Sequence, residues 1–372
     1  MKKQNFFYAV LCYLLITGCS KYEEKITASP LQSDTQNTVQ SKPSSSRMAA
    51  TSAPFACGAD IGWLTEMEKA GLKFRKPGST AEQGVIASLK DKGINSIRLR
   101  VFVNPSDKWC NLADVIAKAK RAKAQGMRIM VDFHYSDTFA DPGHQKKPAS
   151  WANATFEQLI DNVFNHTSNV LLALKKEGIV VEWVQVGNET NDGMLWPTGR
   201  LSTNTSQTTT NNFGLLQYSG YRAVKFVFPV AKVIVHCAMS NYDTIKWTLD
   251  RLYEGGGRWD VIGLSHYPNP NNWQAGNNKC VNIMNQLILD YQYKYEVMIC
   301  EFGLPAADVR IGRNCLEDLI KKTNGLPFNT GNGIFYWEPE CYGDWKKYYK
   351  GAFDDLGRPT IVLDAFKTTN PQ

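Results

Sequence analysis

From Pro54 onward, short apolar runs alternate with amphipathic stretches. The apolar runs span 55–63, 96–103, 128–135, 183–189, 232–238, 261–268, 297–303 and 333–339. Between most of them apolar residues recur at helical spacing. "TAEQGVIASLKDKG" reads as a helix with Thr80 as N-cap and Gly93 at its end. "NLADVIAKAKRAKAQG" ends on Gly126, and "TFEQLIDNVFNHTSNVLLALKKEG" is a third such stretch. Eight strands alternating with helices predict an α/β fold, a parallel sheet closed as a (β/α)8 TIM barrel, though an open doubly wound sheet shares the beat. The strand ends favour the barrel. Polar and aromatic residues gather there: Asp60, Asn104, His134 with Tyr135, Asn188 with Glu189, His236, His266 with Tyr267, Glu301 and Trp337. In a barrel these ends converge on one mouth. No glycine-rich phosphate fingerprint follows the first strand, which argues against a nucleotide fold.

The first 53 residues do not join this pattern. "MKK" is a charged start, "FFYAVLCYLLI" a short apolar run, and "ITGC" closes it before a cysteine. This is the layout of a secretory signal, and the run is short for a membrane span. Its ending resembles a bacterial lipobox, in which Cys19 is lipidated and becomes the mature N-terminus; the alternative is an ordinary cleaved signal with a chance cysteine. Ser20 after it is similar to lipoproteins sent to the outer membrane. Glu23 and Glu24 resemble surface-export signals of some gut bacteria. From Ser20 to Ala53 the chain is rich in Ser, Thr, Gln, Pro and Lys and cannot bury enough apolar surface to fold. The expected organisation is a signal peptide over 1–18, a tether over 19–53 and a single folded domain over 54–372.

The 372 residues, 43% hydrophobic, suffice for a large core. The net charge of +7 is scattered without a basic run, so nucleic acid is not an expected partner, and the protein is expected to be a monomer. Of nine cysteines, Cys12 lies in the signal and Cys19 carries lipid in this reading. The other seven are Cys57, Cys110, Cys237, Cys280, Cys300, Cys315 and Cys341. An odd number leaves at least one thiol unbridged, and an exported location permits disulfides. Cys237 and Cys300 sit in apolar runs and read as buried thiols. Cys280, Cys315 and Cys341 sit in segments that read as loops, so a bridge through Cys341 is expected, its partner left open. Without a CxxC pair or a His/Cys cluster, neither zinc nor another cofactor is expected.

Two carboxylates stand out. Glu189 ends "VQVGNE" and Glu301 ends "VMICE". Each follows a strand that should be buried, where a charge costs energy unless it has partners or a role. By count they end the fourth and seventh strands, which face each other across the mouth of an eight-stranded barrel. Carboxylates so placed can flank a sugar's anomeric carbon, one protonating the leaving oxygen and the other attacking carbon or activating water. Caps or salt bridges are the bland alternative. A metal site would want its acids and histidines clustered, and these are spread over all the strands.

"GNE" on the fourth strand, Glu301 on the seventh and Trp337 on the eighth resemble clan A glycoside hydrolases. "GADI", "GINSIRLRVFVNPSD", "DFHYSDTFADPGHQ", "VGNE…LWP", "HYP" and "YWEP", in that order, resemble family 53, the endo-β-1,4-galactanases. The resemblance covers almost the whole chain after the tether. It implies that Glu189 is the acid/base and Glu301 the nucleophile of a retaining double displacement on galactan or type I arabinogalactan. The nucleophile must be ionised, and Arg98 and Arg100, two apart on one strand face, both offer it positive charge; the resemblance favours Arg98. The acid must start protonated and act as base once Glu301 is esterified.

The resemblance further implies that Asn188 meets the sugar hydroxyl beside the reacting carbon, that Tyr267 donates to the nucleophile and that Trp337 floors the site. Asp60, His134, His236, His266 and Trp196 are expected as further substrate contacts or their supports. Trp63, Trp196, Trp273 and Trp345 near strand ends suit an open groove for endo-action. The sequence departs from the family at Phe139, where Trp is more common, and at Phe302 and Leu304 after the nucleophile. Some members bind calcium after the last two strands, but in "ECYGDWKKYYKGAFDD" lysines offset the acids and no site is expected. Another clan A hydrolase of a different β-1,4-glycan, or a glycan-binding protein that has lost catalysis, are the remaining readings.

Overall fold

The computed structural model describes residues 54–202, 207–305 and 308–369. The expected signal peptide, the expected lipidation site Cys19 and the expected tether lie outside the described residues. The strands in chain order are β1 (Ala56–Asp60), β2 (Ser96–Val101), β3 (Arg128–Phe133), β4 (Trp183–Val186), a small hairpin of β5 (Gly193–Met194) and β6 (Gly199–Arg200), β7 (Lys232–Ala238), β8 (Val261–His266), β9 (Glu296–Phe302) and β10 (Gly331–Trp337). All but the hairpin are parallel and close a barrel in the order β1-β10-β9-β8-β7-β4-β3-β2. The helices are α1 (Leu64–Lys69), α2 (Val85–Asp91), α3 (Leu112–Ala124), α4 (Phe156–Lys176), α5 (Gln207–Val227), α6 (Tyr242–Glu254), α7 (Trp273–Asp290) and α8 (Val309–Asn324). The eight expected strands are these barrel strands, and the TIM barrel is the fold.

Local sequence explains most helix ends. Asn111 caps α3 by accepting from the Asp114 amide, and Thr155 and Gln158 form a capping box on α4. Thr80 is not an N-cap. The chain from Phe74 to Gln83 is tied as a turn, with Lys76 N–H on Ala81 O and Gln83 N–H on Phe74 O, so α2 starts only at Val85 behind Gly84. The expected bridge through Cys341 is also absent. Its thiol is buried 4.0 Å from Met67 Sδ, and no disulfide joins it. Cys280 and Cys315 are not in loops but on the buried faces of α7 and α8.

Along each strand, one set of side chains points at the helices and the other into the barrel. Outward residues such as Ile97, Leu99 and Val101 join the large shared core. Inward, Met130, Trp183, Ile234, Met298 and Phe335 belong to a separate fully buried apolar cluster that plugs the interior. Two residues further along the strands the inward positions turn polar: Asp132 follows Met130, Gln185 follows Trp183, and His236 follows Ile234. Asp60, Arg98 and Ser265 share the polar layer, which is buried at the level where the strands end.

The inner layer is tightly filled. A Cβ placed on Gly58 in β1 would lie 2.2 Å from the Phe335 ring. Gly58→Ala is therefore expected to destabilise the barrel by roughly 1–3 kcal/mol through overpacking. Urea unfolding followed by tryptophan fluorescence measures this, and an unchanged midpoint would contradict it.

Candidate active site

Glu301 reaches the mouth by a break in strand regularity. Strict alternation would turn Met298, Cys300 and Phe302 inward and Glu301 outward with Ile299. Instead β9 carries an extra residue. Leu264 pairs with Ile299 but Ser265 with Glu301, and on the other side Ile334 pairs with Ile299 but Tyr336 with Phe302. This bulge lets Cys300 stay in the interior cluster while Glu301 also faces inward and Phe302 joins the outer core. On β4 a glycine performs the same service. Gly187 takes φ +88°, and beyond it Asn188 and Glu189 enter the mouth. Glu189 itself is left-handed, at φ +48°.

Arg98 is the centre of the site. Its Nη1 meets Asp60 Oδ2 at 2.6 Å, and its Nη2 meets Asp132 Oδ2 and Glu301 Oε1, each at 2.9 Å. The same guanidinium donates to Gln185 Oε1 at 2.9 Å and Asn188 Oδ1 at 3.1 Å. Burial opposes its charge, but Asp132, Glu301 and Asp60 more than compensate and fix it as a cation. Arg100 sits beside it, paired with Asp60 and Glu338, its guanidinium 4.8 Å from the Phe139 ring centre. Of the two arginines, Arg98 touches Glu301. Asp60 is fully buried and spends both oxygens on these arginines and the Gly62 amide. Asp60 and Arg100 therefore act as supports, and neither is open to a substrate.

The two glutamates have different surroundings. Glu301 accepts from Tyr267 Oη at 2.8 Å and forms an ion pair with Arg98. Glu189 accepts from Ser265 Oγ at 2.5 Å and, among the described residues, forms no ion pair. Burial, then the Glu301 charge, push the Glu189 carboxyl up to about 8. Burial, with Asp132 and Asp60, also pushes Glu301 up, while Arg98 first and then the Tyr267 hydroxyl oppose the rise. The two arginines face four carboxylates in their ion pairs (Asp60, Asp132, Glu301 and Glu338), so the mouth has more acid than base. The proton therefore rests on Glu189, the glutamate without a cation.

The other expected residues are placed as follows. Asn188 accepts from Arg98 and Gln185 and donates to Ala140 O at 2.8 Å. His134 takes the Ala140 amide on Nδ1, so the ring hydrogen is on Nε2, which lies 3.0 Å from Asp132 Oδ2. His236 is fully buried, and burial, then Arg98, hold it neutral. His266 borders a cavity of about 330 Å³ shared with Glu189, Met239, Ser265, Tyr267 and Lys279, while its Nε2 is anchored on Asn277 of α7. Trp196 spends its indole N–H on Asp192 O and stacks with Arg200 at 4.0 Å. Trp337 is half-buried in an aromatic cluster with Trp63, Tyr348 and Phe139. Trp63, expected along an open groove, is buried in that cluster edge-on to Trp337.

Ser265, Gln185, Asp132 and Glu338 were missed in the sequence. Each is a polar residue next to or inside an apolar run, and for Gln185 and Asp132 the inward parity of the strand was a usable signal. Among the described residues, no cluster of His, Cys, Asp and Glu is arranged to hold a metal ion.

Residues 56–355 match the family model for glycosyl hydrolase family 53. The chain is 30% identical over 353 residues to an arabinogalactan endo-β-1,4-galactanase of Cellvibrio japonicus, covering 85% of this chain and 91% of that protein. It is 31% identical over 310 residues to a probable arabinogalactan endo-β-1,4-galactanase A of Aspergillus terreus, covering 78% and 87%. The fold matches a solved fungal β-1,4-galactanase at TM-score 0.76 and 28% identity, over 85% of this chain and 100% of that one.

Removing Arg98 leaves buried Asp132 and Glu301 without an arginine and takes one of two from Asp60. Arg98→Met is expected to cost roughly 3–5 kcal/mol of folding stability, as for any buried ion pair broken from one side. Guanidinium unfolding measures it; a loss under about 1 kcal/mol would show that the mouth tolerates its acids without the cation.

Proposed function

The chain belongs to glycosyl hydrolase family 53, and from that membership we propose that it is an endo-acting β-1,4-galactanase cutting galactan and type I arabinogalactan with retention. The observation that carries the division of labour is the unequal partnering of the two glutamates. Glu301, held by Arg98 and Tyr267, is the one kept ionised and is the nucleophile. Glu189, pushed up to about 8, is the one kept protonated and is the acid.

In the first step Glu301 attacks the anomeric carbon as Glu189 gives its proton to the departing glycosidic oxygen, leaving a covalent galactosyl ester. The ester carries no charge, so the second-largest contribution holding the Glu189 pKa up disappears. Glu189 is then a carboxylate able to take a proton from water, whose oxygen attacks the anomeric carbon as its bond to Glu301 breaks and frees that carboxylate. Asn188, oriented by Arg98, Gln185 and Ala140, presents its amide to the hydroxyl beside the reacting carbon. Trp337 offers a partly open ring face for stacking. A lipid on Cys19, and with it an outer-membrane position, belongs to the same proposal and is supported by the "ITGC" ending of the leader.

The test is release of reducing oligosaccharides from linear β-1,4-galactan. Glu301→Gln is expected to abolish release, and a variant running at the wild-type rate would sink the mechanism. Glu189→Gln is expected to slow galactan cleavage by about 10²–10⁴-fold, the usual worth of a general acid. Cleavage of xylan or cellulose in place of galactan would point to a different glycan. Binding without cleavage would point to a binding protein. The pH dependence of kcat/KM has a definite sign: an acid must be protonated to work, so activity falls as pH rises through about 8, where Glu189 loses its proton in the free enzyme.

A further inference from the structure

Resting on the assignment of Glu189 as acid/base, we propose that His236 and Ser265 are positioning residues that hold Glu189 at both its backbone and its carboxyl, so that a single oxygen, Oε2, gives and receives the catalytic proton.

Glu189 sits in a left-handed conformation that a non-glycine residue keeps only when its neighbours impose it. His236 imposes it from β7. Its carbonyl accepts from Thr190 N–H at 2.9 Å and from Thr190 Oγ1 at 3.2 Å, and its Nδ1 accepts the Glu189 amide at 3.3 Å. A backbone N–H can only donate, and the two hydrogens of the neighbouring Gln185 amide go to Asp132 Oδ1 and Asn188 Oδ1. Asn188 Oδ1, 2.9 Å from His236 Nδ1, takes its hydrogens from Arg98 and Gln185. Nδ1 is therefore the acceptor, and the ring hydrogen is on Nε2. That nitrogen lies 3.0 Å from Ser265 Oγ, so the hydroxyl accepts from the ring and turns its own hydrogen onto Glu189 Oε1, 2.5 Å away.

The hydrogen bonds thus form a circuit that leaves Glu189 at its amide and returns to it at its carboxyl. Oε1 is an acceptor in both protonation states. Among the described residues the other oxygen has no protein partner, so the proton of the acid form is on Oε2. In the first half-reaction Oε2 passes it to the glycosidic oxygen, and in the second the same atom takes one from water. The circuit itself gains and loses no proton.

The charged and titratable groups facing Glu189 are Glu301 on β9, Arg98 on β2, Asp141 after β3, Cys237 on β7 and Tyr267 after β8. Those facing His236 are Arg98, Asp132 and His134. A change at Ser265 removes none of them. The hydroxyl lowers the Glu189 pKa against burial and the Glu301 charge, so its removal raises that pKa further.

The experiment compares the full chain with Ser265→Ala, Ser265→Thr and Glu189→Gln on two substrates. One is β-1,4-galactan, and the other a dinitrophenyl galactobioside whose leaving group needs no proton. Ser265→Ala is expected to lose about 10–100-fold in kcat/KM on galactan, to move the alkaline limb to higher pH, and to keep the dinitrophenol burst within about threefold. Ser265→Thr, which keeps the hydroxyl, is expected to recover most galactan activity and the wild-type pH profile. Equal losses on both substrates, or an alkaline limb that stays in place, would reduce Ser265 to a structural residue and overturn the proposal. Full galactan activity in Glu189→Gln would overturn the acid/base assignment itself and the circuit with it.

Discussion

The mouth of this barrel is organised around one buried cation. Arg98 ties together carboxylates from β1, β3 and β9 and the amides of Gln185 and Asn188 at the end of β4. Each of these groups would be costly to bury alone. Their positions are therefore coupled: the guanidinium fork has fixed geometry, and every acceptor around it must sit where the fork points. This coupling lets a layer of polar side chains rest on a fully apolar plug without opening the barrel to water. Arg100 repeats the arrangement one step higher with Asp60 and Glu338 and leans on the aromatic cluster that surrounds Trp337.

The charge imbalance of that network is also what separates the two glutamates. Two guanidiniums cannot neutralise every acid in the mouth. The arrangement spends Arg98 on Glu301 and gives Glu189 only a hydroxyl. A carboxyl in that situation, partly buried and facing another carboxylate, keeps its proton well above the usual range. The two glutamates thus differ through distance from one arginine, with no difference in residue type.

The fold was legible because barrel strands are buried on both sides and stand out as continuous apolar runs. The helices were legible where capping residues and strong helix formers agreed, as at Asn111 and Thr155. They were not legible in α7 and α8. There Gly276, Asn277 and Asn278, or Gly312 and Asn314, lower the propensity, and tertiary packing supplies what the sequence lacks. That is why Cys280 and Cys315 read as loop cysteines. Thr80 misled for the opposite reason, since a good cap was present but the chain around it was already committed to a turn.

The site was legible in its residue types and opaque in its directions. Glu301 was singled out because a charge ended an apolar run, yet strict alternation would have aimed it at the helices. Only the extra residue on β9 turns it inward, and a bulge depends on pairing with both neighbours, which one strand's sequence does not contain. Gly187 is different: a glycine directly before a polar pair at a strand end is a local cue that the chain changes direction there. Ser265 shows the remaining difficulty. A serine before "HYP" is unremarkable by itself, and its meaning comes from His236 and Glu189, 29 and 76 residues away. The strand order, which places β7 beside both β4 and β8, assembles those three side chains into one site.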